Sequence, residues 1–233
     1  MTLQGKGGCG KTVATYLAVQ YLRSIGKDPV VVDADPVNKT LRSFSGICAE
    51  PYALFRENEI DPRRYDELVE RILTTDRDFV IDNGASSFVT LSSYLAAGGI
   101  ASLLAANGRE LVINTVVVGG ESQDETFLAL EMLAERMPTT RLICWVNEFF
   151  GPVGGDTDFE ETATYKAVSS RIWGLVRLEK LPEATFGRDF RRMMTDHLTF
   201  DEAIKDAKYM IMEKQRLTMI QRNTFAEISK AQM

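Results

Sequence analysis

Short apolar runs alternate along the chain with stretches in which apolar residues recur at helical spacing. The runs are rich in valine and isoleucine and lie at residues 2–4, 29–32, 79–81, 111–118, 142–146 and 172–178. Runs of this length and composition are typical of buried strands. The alternation therefore predicts an α/β fold with a mainly parallel, doubly wound sheet and helices on both faces.

Two of the intervening stretches carry helix signals. The first begins at Lys11 and places its apolar positions on one face at i, i+4 and i+8: Val13, Leu17 and Tyr21. The second runs from about residue 123 to 137 and stops at Pro138, which cannot continue a helix. The glycine-rich stretch 150–158 predicts a surface loop.

The chain carries no linker, so we expect one nucleotide-binding domain over residues 1–233, with a helical segment from about 198 to the end. Apolar residues of that segment are expected to share a face: Ile204, Ala207 and Ile211, followed by Leu217 and Ile220. Such a face packs on its own domain or lies on a membrane, and we favour packing. Only four residues precede Gly5, so the first strand is abbreviated or the native start lies elsewhere.

Composition narrows the function classes. A net charge of -6 provides no global attraction to nucleic acid. The three cysteines form no CxxC pair, which argues against zinc or disulfides and favours a cytoplasmic location. The single histidine makes His-based metal clusters and Ser/His/Asp triads implausible. No apolar run of about 20 residues predicts a transmembrane helix, and no signal peptide is expected before the glycine-rich stretch.

The strongest motif is a complete phosphate-binding loop. It satisfies G-x-x-x-x-G-K-[ST] between a strand and a helix, with the residues Gly5, Lys6, Gly7, Gly8, Cys9, Gly10, Lys11 and Thr12. Glycines let successive backbone N–H groups face phosphate oxygens, and the N-terminus of the following helix adds positive potential. Lys11 is expected to reach the β and γ phosphates, and the Thr12 hydroxyl to bind magnesium.

A second lysine, Lys6, lies in the same loop, although an ordinary phosphate loop does not require one. Its charge would neutralise a γ-phosphoryl group in the transition state, the alternative being a solvated surface lysine. Cys9 is interpreted as a small filler residue rather than a redox group.

Acidic residues follow two predicted strands. Asp33-Ala34-Asp35-Pro36 comes directly after the second strand, and Asp82 ends the third. Carboxyl ends of parallel strands are where ligands bind in open α/β sheets. We expect Asp82 to hold magnesium or its water shell, Asp33 or Asp35 to serve the attacking water, and Asp33 to be a further metal candidate.

These residues resemble the MinD/ParA family of deviant Walker A ATPases, whose KGGxGK[ST] motif corresponds to residues 6–12. The resemblance implies a P-loop NTPase that binds ATP and Mg²⁺, hydrolyses ATP slowly under partner stimulation, and forms a nucleotide-dependent homodimer. It implies that Lys6 crosses the dimer interface, that Asp35 positions the attacking water, and that Asn147 and Pro182 contact adenine. Val13 is counted with the nucleotide-binding residues, and Thr140 receives no assignment.

Four further fragments resemble the conjugal transfer members of plasmid mating systems: LQGKGG at 3–8, DPVN at 35–38, VIDNGASSF at 80–88 and GRDF at 187–190. This resemblance implies a role in plasmid conjugal transfer, with a protein partner in a transfer or positioning complex that recruits the chain to the inner membrane face. Alternatives are a partition ATPase that binds DNA through Arg188, Arg191 and Arg192, a membrane-positioned ATPase, and an ATP-dependent metabolic ligase. The acidic composition disfavours DNA binding.

Overall fold

A computed structural model describes residues 1–35, 37–56 and 59–232. Its strands are β1 (Val30–Ala34), β2 (Glu50–Pro51), β3 (Phe55–Arg56), β4 (Glu59–Ile60), β5 (Phe79–Asn83), β6 (Val112–Val118), β7 (Arg141–Asn147) and β8 (Ile172–Leu178). Its α-helices are α1 (Lys11–Ser24), α2 (Pro62–Thr74), α3 (Phe88–Ala97), α4 (Ile100–Ala106), α5 (Gln123–Arg136), α6 (Ala163–Val168), α7 (Arg188–Thr195), α8 (Phe200–Lys205) and α9 (Ile211–Lys230).

The central sheet is parallel and is joined at its middle by one residue. β2, β1 and β5 form one three-stranded group, and β6, β7 and β8 form another. Thr2 makes parallel bridges to Asp82 of β5 and to Asn114 of β6, which gives the order β2-β1-β5-Thr2-β6-β7-β8. The predicted first strand is therefore central but very short. β3 and β4 form a separate antiparallel pair.

Two apolar layers cover the sheet, one on each face. Side chains of α2 to α6 pack in one layer, and side chains of α1, α7, α8 and α9 pack in the other. Successive strand residues contribute to opposite layers: Leu142, Cys144 and Val146 to the first, Ile143 and Trp145 to the second. The predicted doubly wound α/β architecture is confirmed.

The boundaries predicted from the apolar pattern agree with the longer elements within a few residues. α1 begins at Lys11, α5 ends at Arg136 before Pro138, and β8 has the predicted limits. β1 and β5 run two residues further than predicted, because the apolar pattern stops at the acidic residues Asp33 and Asp82 while the strands continue to Ala34 and Asn83. The predicted loop at 150–158 consists mainly of turns and bends.

The prediction of one helical face through the C-terminal segment is wrong. The helix breaks between α8 and α9, where the Asp206 carboxylate accepts a hydrogen bond from the backbone N–H of Lys208. Ala207 is exposed, and Ile211 is 84% exposed, whereas Leu217 and Ile220 are buried. α9 packs on α1, α8 and β8. Among the described helices none is alone long and apolar enough to cross a membrane, although the bent pair Ala85–Ala97 and Ile100–Ala106 meets both criteria jointly.

Candidate functional site

The phosphate loop connects the short central strand to α1. Gly8 and Gly10 have φ values of +73° and +104°, a backbone region that glycine adopts without strain. Gly10 is the N-cap of α1 and supplies no side-chain cap, so the N–H groups of the first helical turn are left for an anion. A Cβ atom on Gly10 would lie 2.8 Å from the Asn147 Nδ2 atom. The loop has the backbone of an anion-binding site.

The carbonyl oxygen of Lys6 holds two side chains of the loop. Lys11 Nζ donates a hydrogen bond to it at 2.8 Å, and Cys9 Sγ lies 3.2 Å away. The Lys11 ammonium therefore lies over the loop, where an anion bound by the backbone N–H groups would meet its charge. Burial raises the pKa of the Cys9 thiol, which keeps it protonated near neutral pH.

The Lys6 side chain is held inside its own chain. Its Nζ atom lies 2.6 Å from Glu125 Oε2, in the first turn of α5. An open cavity of about 530 Å³ adjoins this side of the loop and is lined by residues 6–9, residues 118–122 and Phe150. Sequence reasoning missed Glu125, because it lies 119 positions after Lys6 in the chain.

Thr12 and Asp82 meet as the motif predicts. Thr12 Oγ1 donates to Asp82 Oδ2 at 2.8 Å, and Thr15 Oγ1 donates to Asp82 Oδ1 at 2.9 Å. Burial, together with the neighbouring Asp33, raises the pKa of Asp82 to about 6, against the opposing effects of the two hydroxyl donors and Lys11. Thr15 was missed, although its spacing of three residues from Thr12 places both hydroxyls on one helix face.

Asp33 lies beside Asp82 in the β1–β5 register but is engaged elsewhere. Arg42 Nε donates to Asp33 Oδ2 at 3.1 Å, and the Asp35 backbone N–H donates to Asp33 Oδ1 at 3.2 Å. Burial raises the pKa of Asp33, and the Asp35 N–H and Arg42 oppose that rise. Asp33 stays a predicted metal candidate beside Asp82, although its Oδ2 atom is already paired with Arg42.

Asp35 lies past the end of β1 and is largely buried. Its Oδ1 atom accepts hydrogen bonds from the backbone N–H groups of Val37 and Asn38, at 2.9 and 3.0 Å. The carboxylate thus organises the loop that follows the strand. Pro36, the last residue of this motif, lies outside the described residues.

Asn147 ends β7 beside the phosphate loop. Its Nδ2 atom donates to the Cys9 carbonyl oxygen at 3.0 Å, and its Oδ1 atom accepts from the Phe149 N–H at 3.2 Å. Its amide therefore supports the loop directly. Pro182 is exposed and precedes a π-helical turn at Glu183–Gly187. Thr140 precedes the first residue of β7 and so lies at the end of the strand opposite to Asn147 and the phosphate loop.

The arginines considered for DNA binding are largely matched by acidic residues. Arg191 pairs with Glu183 at 2.5 Å, and Arg192 pairs with Glu213 at 2.8 Å. Arg188 is exposed. This arrangement favours the solvated helix face over a nucleic-acid surface.

The donor chemistry beside the loop fits magnesium. The Thr12 hydroxyl and Asp82 carboxylate are hard oxygen donors, and Mg²⁺ commonly uses one or two protein oxygens together with phosphates and water. Across the described residues, no group of three or more His, Cys, Asp and Glu side chains could by itself hold a metal ion. A magnesium site here would therefore depend on the nucleotide for further ligands.

Comparisons with known proteins bear on the family and the fold of the chain. No protein-family model matches the chain. Two curated proteins from Escherichia coli, each named Protein TraL, are 39% and 38% identical over 233 residues, covering 99% of this chain and 97% of each relative. The MinD cell division protein of Aquifex aeolicus shares the fold: its complex with MinC gives a TM-score of 0.57 and MinD alone gives 0.54, both at 17% identity. These matches cover 97% of this chain, and 94% and 95% of the respective structures. The full-length similarity shows that the chain belongs to the TraL family, on a MinD-type P-loop fold.

Proposed function

We propose that the chain is a magnesium-dependent ATPase that switches between a monomer and an ATP-bound dimer. One observation carries the proposal. A complete phosphate loop places Lys11 over its backbone and places Thr12 Oγ1 2.8 Å from Asp82 at the adjoining strand end. A phosphate-binding nest, a cation and a hydroxyl–carboxylate pair are the parts that a nucleoside triphosphate with magnesium requires.

Each residue then has a distinct task. The N–H groups of residues 7–12 and the Lys11 ammonium bind the β and γ phosphates. The Thr12 hydroxyl oxygen and Asp82 hold magnesium or its water, and the metal supplies neutralisation of phosphate charge. Asp35 orients the attacking water once its loop rearranges around the γ-phosphate. Asn147 holds the Cys9 carbonyl and, with Pro182, borders the adenine.

Lys6 gives the switch its dependence on a second copy. We expect the partly exposed Lys6 side chain to leave Glu125 of its own chain and reach the phosphate of a partner copy. There it stabilises charge that develops during hydrolysis. Its ion pair with Glu125 involves two partly exposed side chains, so releasing it costs little.

Membership of the TraL family supports a biological setting for this switch. Together with the resemblance to conjugal transfer proteins, it favours a role in plasmid transfer, where ATP-dependent dimerisation would control binding to a protein of a transfer or positioning complex. We place the chain in the cytoplasm, with recruitment to the inner membrane face through that partner.

Light scattering with ADP and with ATP tests the proposal in the wild type, Lys6→Ala and Asp35→Ala. We expect the wild type to dimerise only with ATP, Asp35→Ala to accumulate the dimer, and Lys6→Ala to weaken it. Lys27→Ala is a matched control, because Lys27 is likewise exposed and paired with a carboxylate, Asp78, at 3.2 Å. An oligomeric state that is identical in all variants despite ATP binding would reject the dimer switch.

A further inference from the structure

Three side chains form a hydrogen-bonded series that leads from the Asp82 carboxylate into the sheet. Thr15 Oγ1 lies 2.9 Å from Asp82 Oδ1, and Thr2 Oγ1 lies 2.7 Å from Thr15 Oγ1. Thr15 is fully buried, and Thr2 and Asp82 are each 2% exposed. Thr2 also bridges to Asp82 through the backbone, so all three groups belong to the middle of the sheet.

The number of hydroxyl hydrogens determines which group donates in each hydrogen bond of this series. Each threonine hydroxyl carries one hydrogen and accepts through its lone pairs. Thr15 has two acceptors in reach, Asp82 Oδ1 at 2.9 Å and the Lys11 carbonyl oxygen at 3.1 Å. An ionised carboxylate is the stronger acceptor, so Thr15 donates to Asp82. The hydrogen between the two threonines must then come from Thr2.

The two oxygens of Asp82 are therefore held by two hydroxyls of α1. Thr12 contacts Oδ2, and Thr15, which is itself hydrogen-bonded to Thr2, contacts Oδ1. The Thr12 hydroxyl would be fixed in position by a magnesium ion that it holds through a lone pair. Two side chains among the described residues donate hydrogen bonds to Asp82, and of these Thr15 is the one that would not also bind the metal. It limits rotation of the carboxylate about its Cβ–Cγ bond.

We propose that Thr15, itself oriented by Thr2, is a positioning residue that fixes the Asp82 carboxylate for magnesium. The inference rests on the proposed nucleotide site and extends it to two residues outside the phosphate-loop motif. Neither threonine touches the metal in this arrangement. Their effect is to keep one carboxylate oxygen occupied and the other directed at the Thr12 hydroxyl, where the pair would hold magnesium or its water.

Magnesium binding can be measured without hydrolysis. The full chain is saturated with a fluorescent N-methylanthraniloyl ADP in EDTA, and Mg²⁺ is then titrated. We expect Thr15→Val to weaken Mg²⁺ binding roughly ten- to a hundredfold, the range for one hydrogen bond to a charged group. Thr2→Val should give a smaller loss, and Thr15→Ser, which keeps the hydroxyl, should restore most of the affinity. Affinity for the nucleotide in EDTA should stay within about twofold for all three.

Thr115→Val is the matched control. Thr115 is fully buried in β6, and its Oγ1 atom has no hydrogen-bond partner among the described residues, so losing its hydroxyl should leave Mg²⁺ binding unchanged. A Thr15→Val protein that binds Mg²⁺ like Thr115→Val overturns the inference, as does a Thr15→Ser protein that fails to recover. If Thr15→Val does not fold, Thr2→Val and Thr15→Ser decide the matter in the same titration. A wild type that binds no nucleotide rejects the proposed function itself, which is a different result.

Discussion

Lys6 Nζ lies 2.6 Å from Glu125 Oε2, so the lysine proposed to act on a partner's nucleotide is paired within its own chain. The lysine side chain is 33% exposed and the glutamate 59%. Ion pairs with this exposure are worth about 0.2–1 kcal/mol. The ion pair with Glu125 therefore favours the monomer by a small free energy.

Replacing Glu125 with glutamine should increase ATP-dependent dimerisation. The neutral amide frees Lys6 to reach the partner, and the exposed pair predicts a shift of about two- to fivefold in the dimer dissociation constant. Light scattering across a protein concentration series with ATP measures it. Glu121→Gln is the control, since Glu121 lines the cavity that Lys6 also lines and has no ion pair in the described part of the chain. Equal behaviour of the two variants would remove Glu125 from the switch.

Asp82 should make the free protein less stable as pH rises from about 4 to 6. Burial raises the pKa of Asp82 to about 6 from an ordinary value of 3.8. Between these values the folded chain keeps a proton that the unfolded chain releases, so stability falls through this window and is constant above it. The whole effect is on the order of 3 kcal/mol.

Asp82→Asn removes this pH dependence and should unfold at higher denaturant concentration than the wild type at pH 7.5, while losing Mg²⁺ binding. Near pH 4 the two proteins should converge. Urea unfolding in EDTA between pH 4 and 7.5 measures the difference, with the exposed loop residue Asp156 changed to asparagine as the control. A difference that stays constant over this range would contradict the buried, protonated carboxyl.

Gly10 should tolerate alanine far less well than Gly7. Gly10 has φ +104°, and an added Cβ would lie 2.8 Å from Asn147 Nδ2, whereas a Cβ on Gly7 meets nothing within 4 Å. Gly10→Ala should therefore weaken nucleotide binding at least tenfold, because the strained loop turns its N–H groups away from the phosphates. Isothermal titration with ADP compares the two variants. Adding Asn147→Ala to Gly10→Ala relieves the contact but not the φ strain, so it should recover affinity only in part.

Much of the site was predictable because its determinants are local in sequence. Lys11 and Thr12 are fixed by an eight-residue motif, and Asp82 follows from a strand that ends in a carboxylate. Partners brought by other elements were not predictable. Arg42 reaches Asp33 from a 3₁₀ turn, and Glu125 reaches Lys6 from α5. The sequence around Arg42 or Glu125 does not indicate these ion pairs, because an unpaired surface arginine or glutamate would have the same neighbours in sequence.

The break between α8 and α9 shows the same limit in the fold. Apolar residues continue at helical spacing across residues 204–211, which predicts one helix. The helix breaks here instead, where the Lys208 backbone N–H donates a hydrogen bond to the Asp206 carboxylate. Periodicity detects which residues are apolar, but it does not detect aspartate competing for a backbone N–H group. The face predicted there is therefore exposed at Ala207 and Ile211.

Removing Arg42 should destabilise the chain through Asp33. The Asp33 side chain is 1% exposed, and Arg42 Nε donates to it at 3.1 Å, so Arg42→Met leaves a buried carboxylate without its cation. Losing one partner of a buried pair costs about 3–5 kcal/mol, and the 27% exposure of Arg42 lowers the expected cost to about 1–3 kcal/mol.

Arg71→Met is the matched control, because the ion pair of Arg71 with Glu50 is exposed on both sides and its loss should cost less than about 1 kcal/mol. Asp33→Asn combined with Arg42→Met should recover most of the loss, since an amide needs no counter-charge. Urea unfolding at pH 7.5 of the four members of this cycle gives the coupling energy between the two residues. A coupling near zero would mean that the buried Asp33 carboxylate does not depend on Arg42 for its stability.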